Sequence, residues 1–516
     1  MGAGIAQVGA LAGFETYLHD PFPEALERGV AAIHSGLRKG AERGRWSDDD
    51  TTASEERLRA AAALDELAPC ELVIEAVPED LELKRSVFAQ LSQICGPDVV
   101  LATNTSSLPV TAMATAAARP ENIVGMHFFN PAPLMKLLEV VAGTESSEQA
   151  LAIATTVGKR MGKTVITAKD GPGFLANRCA RPFGMEALKM LSEGLADHAT
   201  IDRIVRMSGG FRMGPFELMD LVGIDVGFEV SKSFWEQSFH EPRWRPSMIQ
   251  ARMVQAGRFG RKAGRGYYDY EAGRAHRTED PEPALSREEG EVIVIEGESQ
   301  IAEELWELAV RAGHQPRRAT ERGDEDASLV IDARVGHLID DAPPAANADV
   351  CVLCADGGLS ELELIFDGAV GFHVLPPVRE AKLVELTRTR ATDDDAAEHV
   401  ERFFRSLGKW VEWVGDGPGL VLGRIVCQLV NEACFAIQEE VGSAEDIDTA
   451  LRLGFNYPRG PLEWADQIGL DQVLATLDAL FEELHEERYR AAPLLRKMVA
   501  EGRLGRWVDE GFFAYE

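Results

Sequence analysis

The sequence predicts four consecutive domains: an α/β module, an all-α module, then a degenerate copy of the first and a second all-α module. Three observations carry this. Short apolar strands alternate with amphipathic helices through residues 1–169, the pattern of a mostly parallel sheet wound with helices. From about Leu175 to Tyr270 the pattern is helical, broken only by Gly and Pro. Beyond a polar stretch the same residues return at an offset of 246, the mark of an internal repeat. The boundaries that follow are 1–169, 170–270, a linker at 271–289, 290–415 and 416–516.

Composition narrows the function. Of 516 residues, 45% are hydrophobic and 27% charged, an ordinary soluble chain able to bury several cores. The net charge of −32 argues against nucleic acid and anionic membranes as partners, so an anionic ligand needs a locally basic patch. The seven cysteines are scattered, as expected in a reducing cytoplasm. Cys351 and Cys354 form a C-x-x-C, but inside Val350-Cys351-Val352-Leu353-Cys354 they read as a buried strand. No second ligand pair accompanies them, and no metal is expected. No apolar run reaches membrane-spanning length.

In chain order, Met1 to Gln7 opens on a helical pattern with Ile5, Val8, Leu11 and Ala12 on one face. Glu15 to Asp20 reads as a strand closing on an acid. A helix followed by such a strand is the second part of a dinucleotide-binding βαβ unit, where the acid takes the adenosine ribose hydroxyls. Turn chemistry before Pro21 is the competing reading of Asp20. The leading strand and the G-x-G-x-x-G turn are missing; Gly2 alone stands where the third glycine falls. Residues 24–46 read as a helix carrying Arg28, Arg38, Lys39, Arg43 and Arg45, suited to a phosphate-bearing ligand or to a solvated face. Ser47 to Glu56 reads as an acidic turn. Strands are expected at 71–77 and 98–102 with a helix at 80–94 between them. The second strand ends in Thr103-Asn104-Thr105-Ser106-Ser107; such residues face ligand at a strand's C-terminal edge or cap a helix.

The chemistry concentrates between Gly125 and Glu139. A strand at 122–129, a loop at Pro131-Ala132-Pro133 and a strand at 136–141 bring His127 and Glu139 within hydrogen-bond reach if the strands lie side by side. A histidine oriented by a carboxylate is a general base near neutral pH; taken alone, such a histidine is more often a structural residue. A helix (147–161) and a strand (164–168) follow, and Asp170-Gly171-Pro172-Gly173-Phe174 turns into a long helix holding Asn177.

The repeat is detailed. Gly371-Phe372-His373 copies Gly125-Met126-His127, Lys382 to Glu385 copies Lys136 to Glu139, and Asp416-Gly417-Pro418-Gly419 copies Asp170 to Gly173. Gly460-Pro461 and Asp466 copy Gly214-Pro215 and Asp220, and Gly505 to Tyr515 matches Gly260 to Tyr270. The copy is degraded at polar positions: Asn130 becomes Pro376, Asn177 becomes Gly423, and the Ser106 region becomes Asp356-Gly357-Gly358.

Together these residues closely resemble the bacterial L-3-hydroxyacyl-CoA dehydrogenases, in particular the long type with two C-terminal domains that acts on 3-hydroxybutyryl- or 3-hydroxyadipyl-CoA. The resemblance covers nearly the whole chain. It rests on the Asn-Thr-Ser-Ser block, His-Phe-Phe-Asn-Pro, Met-Lys-Leu-Leu-Glu and Asp-Gly-Pro-Gly-Phe with the following Asn177-Arg178. It implies a Rossmann-type α/β domain with an all-α C-terminal domain, followed by a degenerate Rossmann-like module and a second all-α domain. The implied activity is NAD-dependent oxidation of a (3S)-hydroxyacyl-CoA to the 3-oxoacyl-CoA, in fatty acid or aromatic acid degradation in the cytoplasm.

By the same resemblance, His127 is the base, Glu139 its partner, and Ser106 and Asn177 hold the reacting oxygens. Asn130 joins them against the substrate, and Arg43 contacts the CoA phosphate. Gly2, Asp20, Ala76, Glu79, Lys84 and Asn104 line NAD, which the acidic Asp20 favours over NADP. Replacing Glu139 with Gln is expected to cost less than replacing His127. Relatives begin with the strand and glycines absent here, so the expectation is a start upstream of Met1 or a fragment, with weak NAD binding by the chain as it stands. The assembly expected is a monomer with an internal pseudo-dimer, or a homodimer. Two rivals stand: a β-hydroxyacid dehydrogenase acting on a free acid through a catalytic Lys, and a catalytically dead scaffold or binding subunit.

Overall fold

The computed structural model describes residues 1–271, 275–283, 290–318, 326–336, 348–362 and 366–515; of the expected linker, 272–274 and 284–289 lie outside them. By packing, the chain forms two compact units, Met1–Arg178 with Glu439–Phe455, and Cys179–Gln438 with Asn456–Glu516.

In the first unit, β1 (Thr16–His19) and β2 (Leu58–Ala61) form a parallel pair. A five-stranded sheet runs in chain order through β3 (Leu72–Glu75), β4 (Val100–Thr103), β5 (Ile123–Phe128), β6 (Leu137–Ala142) and β7 (Thr164–Lys169). Every pairing is parallel except β5 with β6. Among the described residues no strand joins β1 to β3. The helix Gly2–Leu11 sends Ile5 into a core with Val100, Ala102, Val124, Met126, Leu138 and Val140.

One local expectation is corrected. Residues 47–56 are not a turn: Asp48–Arg57 is a helix. The Ser47 hydroxyl accepts the Asp50 amide (3.0 Å) while the Asp50 carboxylate accepts the Ser47 amide (3.1 Å), a capping box whose acidic first turn suits the helix dipole. Strand β2, Leu-Arg-Ala-Ala, was unforeseen because it has no apolar alternation.

The second unit holds a seven-stranded sheet. Its strands are β8 (Val292–Glu296), β9 (Gln315–Arg317), β10 (Leu329–Asp332), β11 (Asp349–Leu353), β12 (Val370–His373), β13 (Leu383–Thr387) and β14 (Trp410–Val414). The order is β14-β13-β12-β11-β10-β8-β9, so β8 fills the position between the outer strand and the rest that has no counterpart in the first copy. Cys351 lies in β11 and Cys354 just after it, both fully buried in apolar clusters, which raises both thiols well above their ordinary range. The helical domains reuse one closure. Asp220 accepts the amides of Tyr267 (3.0 Å) and Tyr268 (2.9 Å) and the Tyr270 hydroxyl (3.0 Å). Asp466 does the same for Phe512 (2.8 Å), Phe513 (2.9 Å) and Tyr515 (2.9 Å).

The copies trade contacts reciprocally. In the first unit Arg178 pairs with Glu439 at 2.8 Å, and the Lys169 amide donates to the Val441 carbonyl at 3.0 Å. In the second, at the repeat-equivalent positions, Arg424 pairs with Glu193 at 2.8 Å and the Gly415 amide donates to the Leu195 carbonyl at 2.7 Å. Helix Ala444–Phe455 of the later copy packs on β6 and β7, and its counterpart His198–Met207 packs on β13. Residue i meeting j while the copy of j meets the copy of i is the logic of an isologous interface, realised inside one chain.

One ionic clamp in the second unit is pH-sensitive. His399 donates from Nδ1 to Asp349 (2.7 Å) and from Nε2 to Glu291 (2.8 Å), at the entries of β11 and β8. Burial pushes its pKa down, but the two carboxylates win and hold it above the ordinary value. A pKa raised by folding adds stability that is complete below about 6.5 and fades as pH rises through the folded value. The melting-temperature gap between wild type and His399→Gln is therefore expected to be widest, about 2–4 °C, near pH ~6 and to close toward pH ~9; a gap independent of pH would refute the clamp.

Candidate active site

Antiparallel pairing of β5 with β6 puts His127 directly opposite Glu139. Glu139 Oε2 lies 2.6 Å from His127 Nδ1, and Glu139 Oε1 accepts the amides of Ala176 (2.8 Å) and Leu175 (3.2 Å). Those amides belong to the start of helix Ala176–Glu193, which favours a negative charge. A carboxylate fixed from both sides makes Nδ1 the donor and leaves Nε2 as the basic nitrogen. Both residues are buried, and the rings of Phe129 and Phe174 lie 4.6 and 5.9 Å from the imidazole.

Loops at the sheet's C-terminal edge are organised by carboxylates. Glu79 Oε1 accepts the Thr105 hydroxyl (2.6 Å), the Ser106 amide (3.0 Å) and the Ser107 amide (3.2 Å). Burial raises its pKa, yet the Thr105 hydroxyl and the Lys84 charge prevail and lower it. Lys84 is 1% exposed and holds Glu75 at 2.8 Å and Glu79 at 3.3 Å, a strut under this loop. Glu75 also accepts the Thr103 hydroxyl at 2.8 Å. Asn104 accepts the Phe128 amide at 2.8 Å, securing the end of β5 next to His127. Asp170 accepts the amides of Val110 (3.1 Å) and Thr111 (2.8 Å), tying the Asp-Gly-Pro-Gly turn to the segment after Ser107. Lys163 donates to the carbonyls of Ala132 (2.5 Å) and Met135 (2.8 Å), pinning the loop between β5 and β6.

The remaining expected residues fall as follows. Ser106 is exposed, with its hydroxyl 3.4 Å from Glu79, and Asn177 Nδ2 reaches the Ser106 carbonyl at 3.4 Å. Asn130 is exposed just after β5. Gly2 sits against Ala76, whose Cβ would be 3.8 Å from a Cβ at Gly2. No side chain caps the helix starting at Gly2, so its first amides are available to an anion. Asp20 follows β1 and accepts the Phe22 amide at 3.0 Å with one oxygen, a turn contact. Arg43 is exposed at the end of helix Pro23–Glu42, between the exposed Lys39 and Arg45. Uncapped amides that donate, an acid that accepts and hydroxyl-rich loops are the kinds of polar group a dinucleotide requires. The supporting contacts of Asp170 and Lys163 are not given by the local sequence; their repeat as Asp416 and Lys409 is the signal that marks both.

The second copy keeps the scaffold of this site without its chemistry. Glu385 accepts the amides of Val421 (2.7 Å) and Leu422 (3.1 Å), Asp416 holds Leu359 (2.6 Å) and Ser360 (2.8 Å), and Lys409 holds Val378 and Ala381, both at 2.6 Å. His373 Nδ1, however, stands 4.0 Å from Glu385 and has no hydrogen-bond partner among the described residues. Burial pushes His373 down to about 3 and Glu385 up to about 8, so both are neutral near pH ~7. A Cβ on Gly423, the counterpart of Asn177, would lie 2.5 Å from the His373 ring: the imidazole fills the space an asparagine would need.

This chain is similar to known proteins along its length. The model of the 3-hydroxyacyl-CoA dehydrogenase NAD binding domain matches residues 1–171, and that of the C-terminal domain matches both 173–270 and 419–515. A 3-hydroxyadipyl-CoA dehydrogenase of Escherichia coli K12 is 35% identical over 502 residues, 96% of this chain and 95% of that one. A probable 3-hydroxybutyryl-CoA dehydrogenase of Deinococcus radiodurans is 41% identical over 270 residues, 52% of this chain and 96% of its own. The crystal structure of a 3-hydroxybutyryl-CoA dehydrogenase from Escherichia coli K12 superposes with a TM-score of 0.81 at 33% identity, covering 97% of this chain and 96% of that one. The chain belongs to the 3-hydroxyacyl-CoA dehydrogenase family, with NAD as its cofactor.

Proposed function

We propose that this dehydrogenase oxidises (3S)-3-hydroxybutyryl- or 3-hydroxyadipyl-CoA to the 3-oxoacyl-CoA, with His127 as general base. The observation that carries the reading is the Glu139 carboxylate clamped between the His127 imidazole and two helix amides. His127 Nε2 takes the proton of the 3-hydroxyl, and the adjacent anion stabilises the imidazolium that forms. NAD, when bound, accepts the hydride from C3. Asn177 and Ser106 hold the reacting oxygens, Asn130 borders the substrate, and Arg43 with Lys39 and Arg45 offers positive charge to the CoA phosphates. Gly2, Asp20, Ala76, Glu79 and Asn104 face the cofactor, and Lys84 supports Glu79 from beneath. The acyl class is supported by the names of the relatives that match along the chain. An acyl-CoA β-oxidation step in the cytoplasm is the setting this chemistry suits.

NADH oxidation with acetoacetyl-CoA tests the mechanism. His127→Gln is expected to keep the fold and lower kcat by roughly 10²–10⁴. The two-amide clamp reverses the sequence-based expectation for Glu139→Gln. With the amide oxygen kept by Leu175 and Ala176, the NH₂ must face Nδ1, inverting the tautomer, so the loss should match that of His127→Gln. Near-wild-type turnover of either variant would remove the mechanism. Parallel assays with 3-hydroxybutyryl- and 3-hydroxyadipyl-CoA decide the acyl class, and turnover of neither would reject it.

The reciprocal contacts support a monomer whose later copy stands where a partner subunit would. Sedimentation is expected to give one species near the chain mass of 56.4 kDa; a stable dimer would overturn this.

A further inference from the structure

The first copy's site is bordered by residues from the degenerate one. Helix Ala444–Phe455 ends with the Phe455 ring edge-on to Phe129, centroids 6.2 Å apart at 79°. Phe129 in turn lies 4.6 Å from the His127 ring. The fit is close: a Cβ on Gly454 would stand 2.9 Å from Leu137 Cδ2 and 3.0 Å from Phe129 Cε1, so a larger residue there must displace Leu137 or Phe129. The reciprocal contact supplies a control. Where helix His198–Met207 meets β13, Leu375 stands in place of Phe129 and Gly209 in place of Phe455. The aromatic pair is thus present only beside the histidine that is hydrogen-bonded to its glutamate, and absent beside His373, which is not. Helix packing alone asks for apolar volume at both places, and does not explain why rings occur at one.

We propose that Phe455, supplied by the degenerate copy, is a positioning and specificity residue of the His127 site: it holds Phe129 against the imidazole and sets the room available to the acyl substituent beyond C3. Both rings are only half-buried. An aromatic pair of this geometry fixes a ring's orientation as well as burying area, and a small displacement of a base costs rate out of proportion to stability. The proposal rests on the His127–Glu139 reading, and its test separates the two.

The test compares wild type with Phe455→Ala, Phe455→Leu, Phe129→Ala and the double alanine variant, on 3-hydroxybutyryl-CoA and a 3-hydroxyoctanoyl-CoA. Phe455→Ala is expected to lower kcat on the short substrate by about 5–20-fold, with KM for NAD within about twofold, and to raise the long-to-short ratio of kcat/KM. The acid limb of its pH profile should move. Phe455→Leu, which retains volume and loses the ring, should fall between, and decides the matter if the alanine variant does not fold. With Phe129 already alanine, removing Phe455 should change kcat by less than about twofold, since the effect passes through that ring. Unchanged kcat, chain-length ratio and pH profile in both Phe455 variants would overturn the proposal, as would fully additive losses in the double variant. A wild type inactive on both substrates, or a fully active His127→Gln, would overturn the His127 reading, and the proposal with it.

Discussion

Everything at the site hangs on where one carboxylate sits. Glu139 is fully buried, and a buried anion persists only when hydrogen bonds replace its water. It finds them in the Leu175 and Ala176 amides and the His127 ring. The sheet supplies the histidine through the β5–β6 register, the helix supplies the amides, and the glutamate joins the two. Glu139 thereby serves the fold as a helix cap and, in the proposed mechanism, orients the base. The later copy separates these roles, because Glu385 still caps its helix while His373 has swung out of reach. A residue that persists when chemistry has gone is explained by its structural duty.

The same separation decides which motifs were legible. The β5–β6 pairing, the helix after the Asp-Gly-Pro-Gly turn and the repeat follow from alternation, punctuation and self-similarity. The helix at Asp48–Arg57 was hidden because it is almost wholly polar and depends on its cap. Lys84 was expected by resemblance to line NAD, but it is buried and its ammonium is enclosed by Glu75 and Glu79. Nothing local marks a lysine as buried; the partners come from two strand ends. Asp20 and Ser106 were singled out by position; their contacts are the Phe22 amide and the Glu79 carboxylate.

The reciprocal contacts were beyond sequence reading for a different reason. The repeat shows that Arg178 equals Arg424 and Glu193 equals Glu439, but not that each arginine pairs with the other copy's glutamate. Pairing within a copy and pairing across copies use the same residues, and only geometry separates them. Once the exchange is known, the drift of the later copy is readable: interface residues stay in service on both sides, while polar site residues in one half are released.

The exchange also sets a schedule. Arg178 waits for a partner 261 positions downstream, and the helix that closes over β6 and β7 lies in the last part of the chain. On the ribosome the N-terminal domain emerges long before that helix, so its sheet must remain with one flank uncovered until synthesis is nearly complete, a period in which apolar surface invites misassembly. In return, once the chain is whole, closure is a first-order event independent of protein concentration. A dimer of shorter chains loses its interface on dilution, whereas this arrangement keeps it at any abundance. The enzyme finishes late, and then does not come apart.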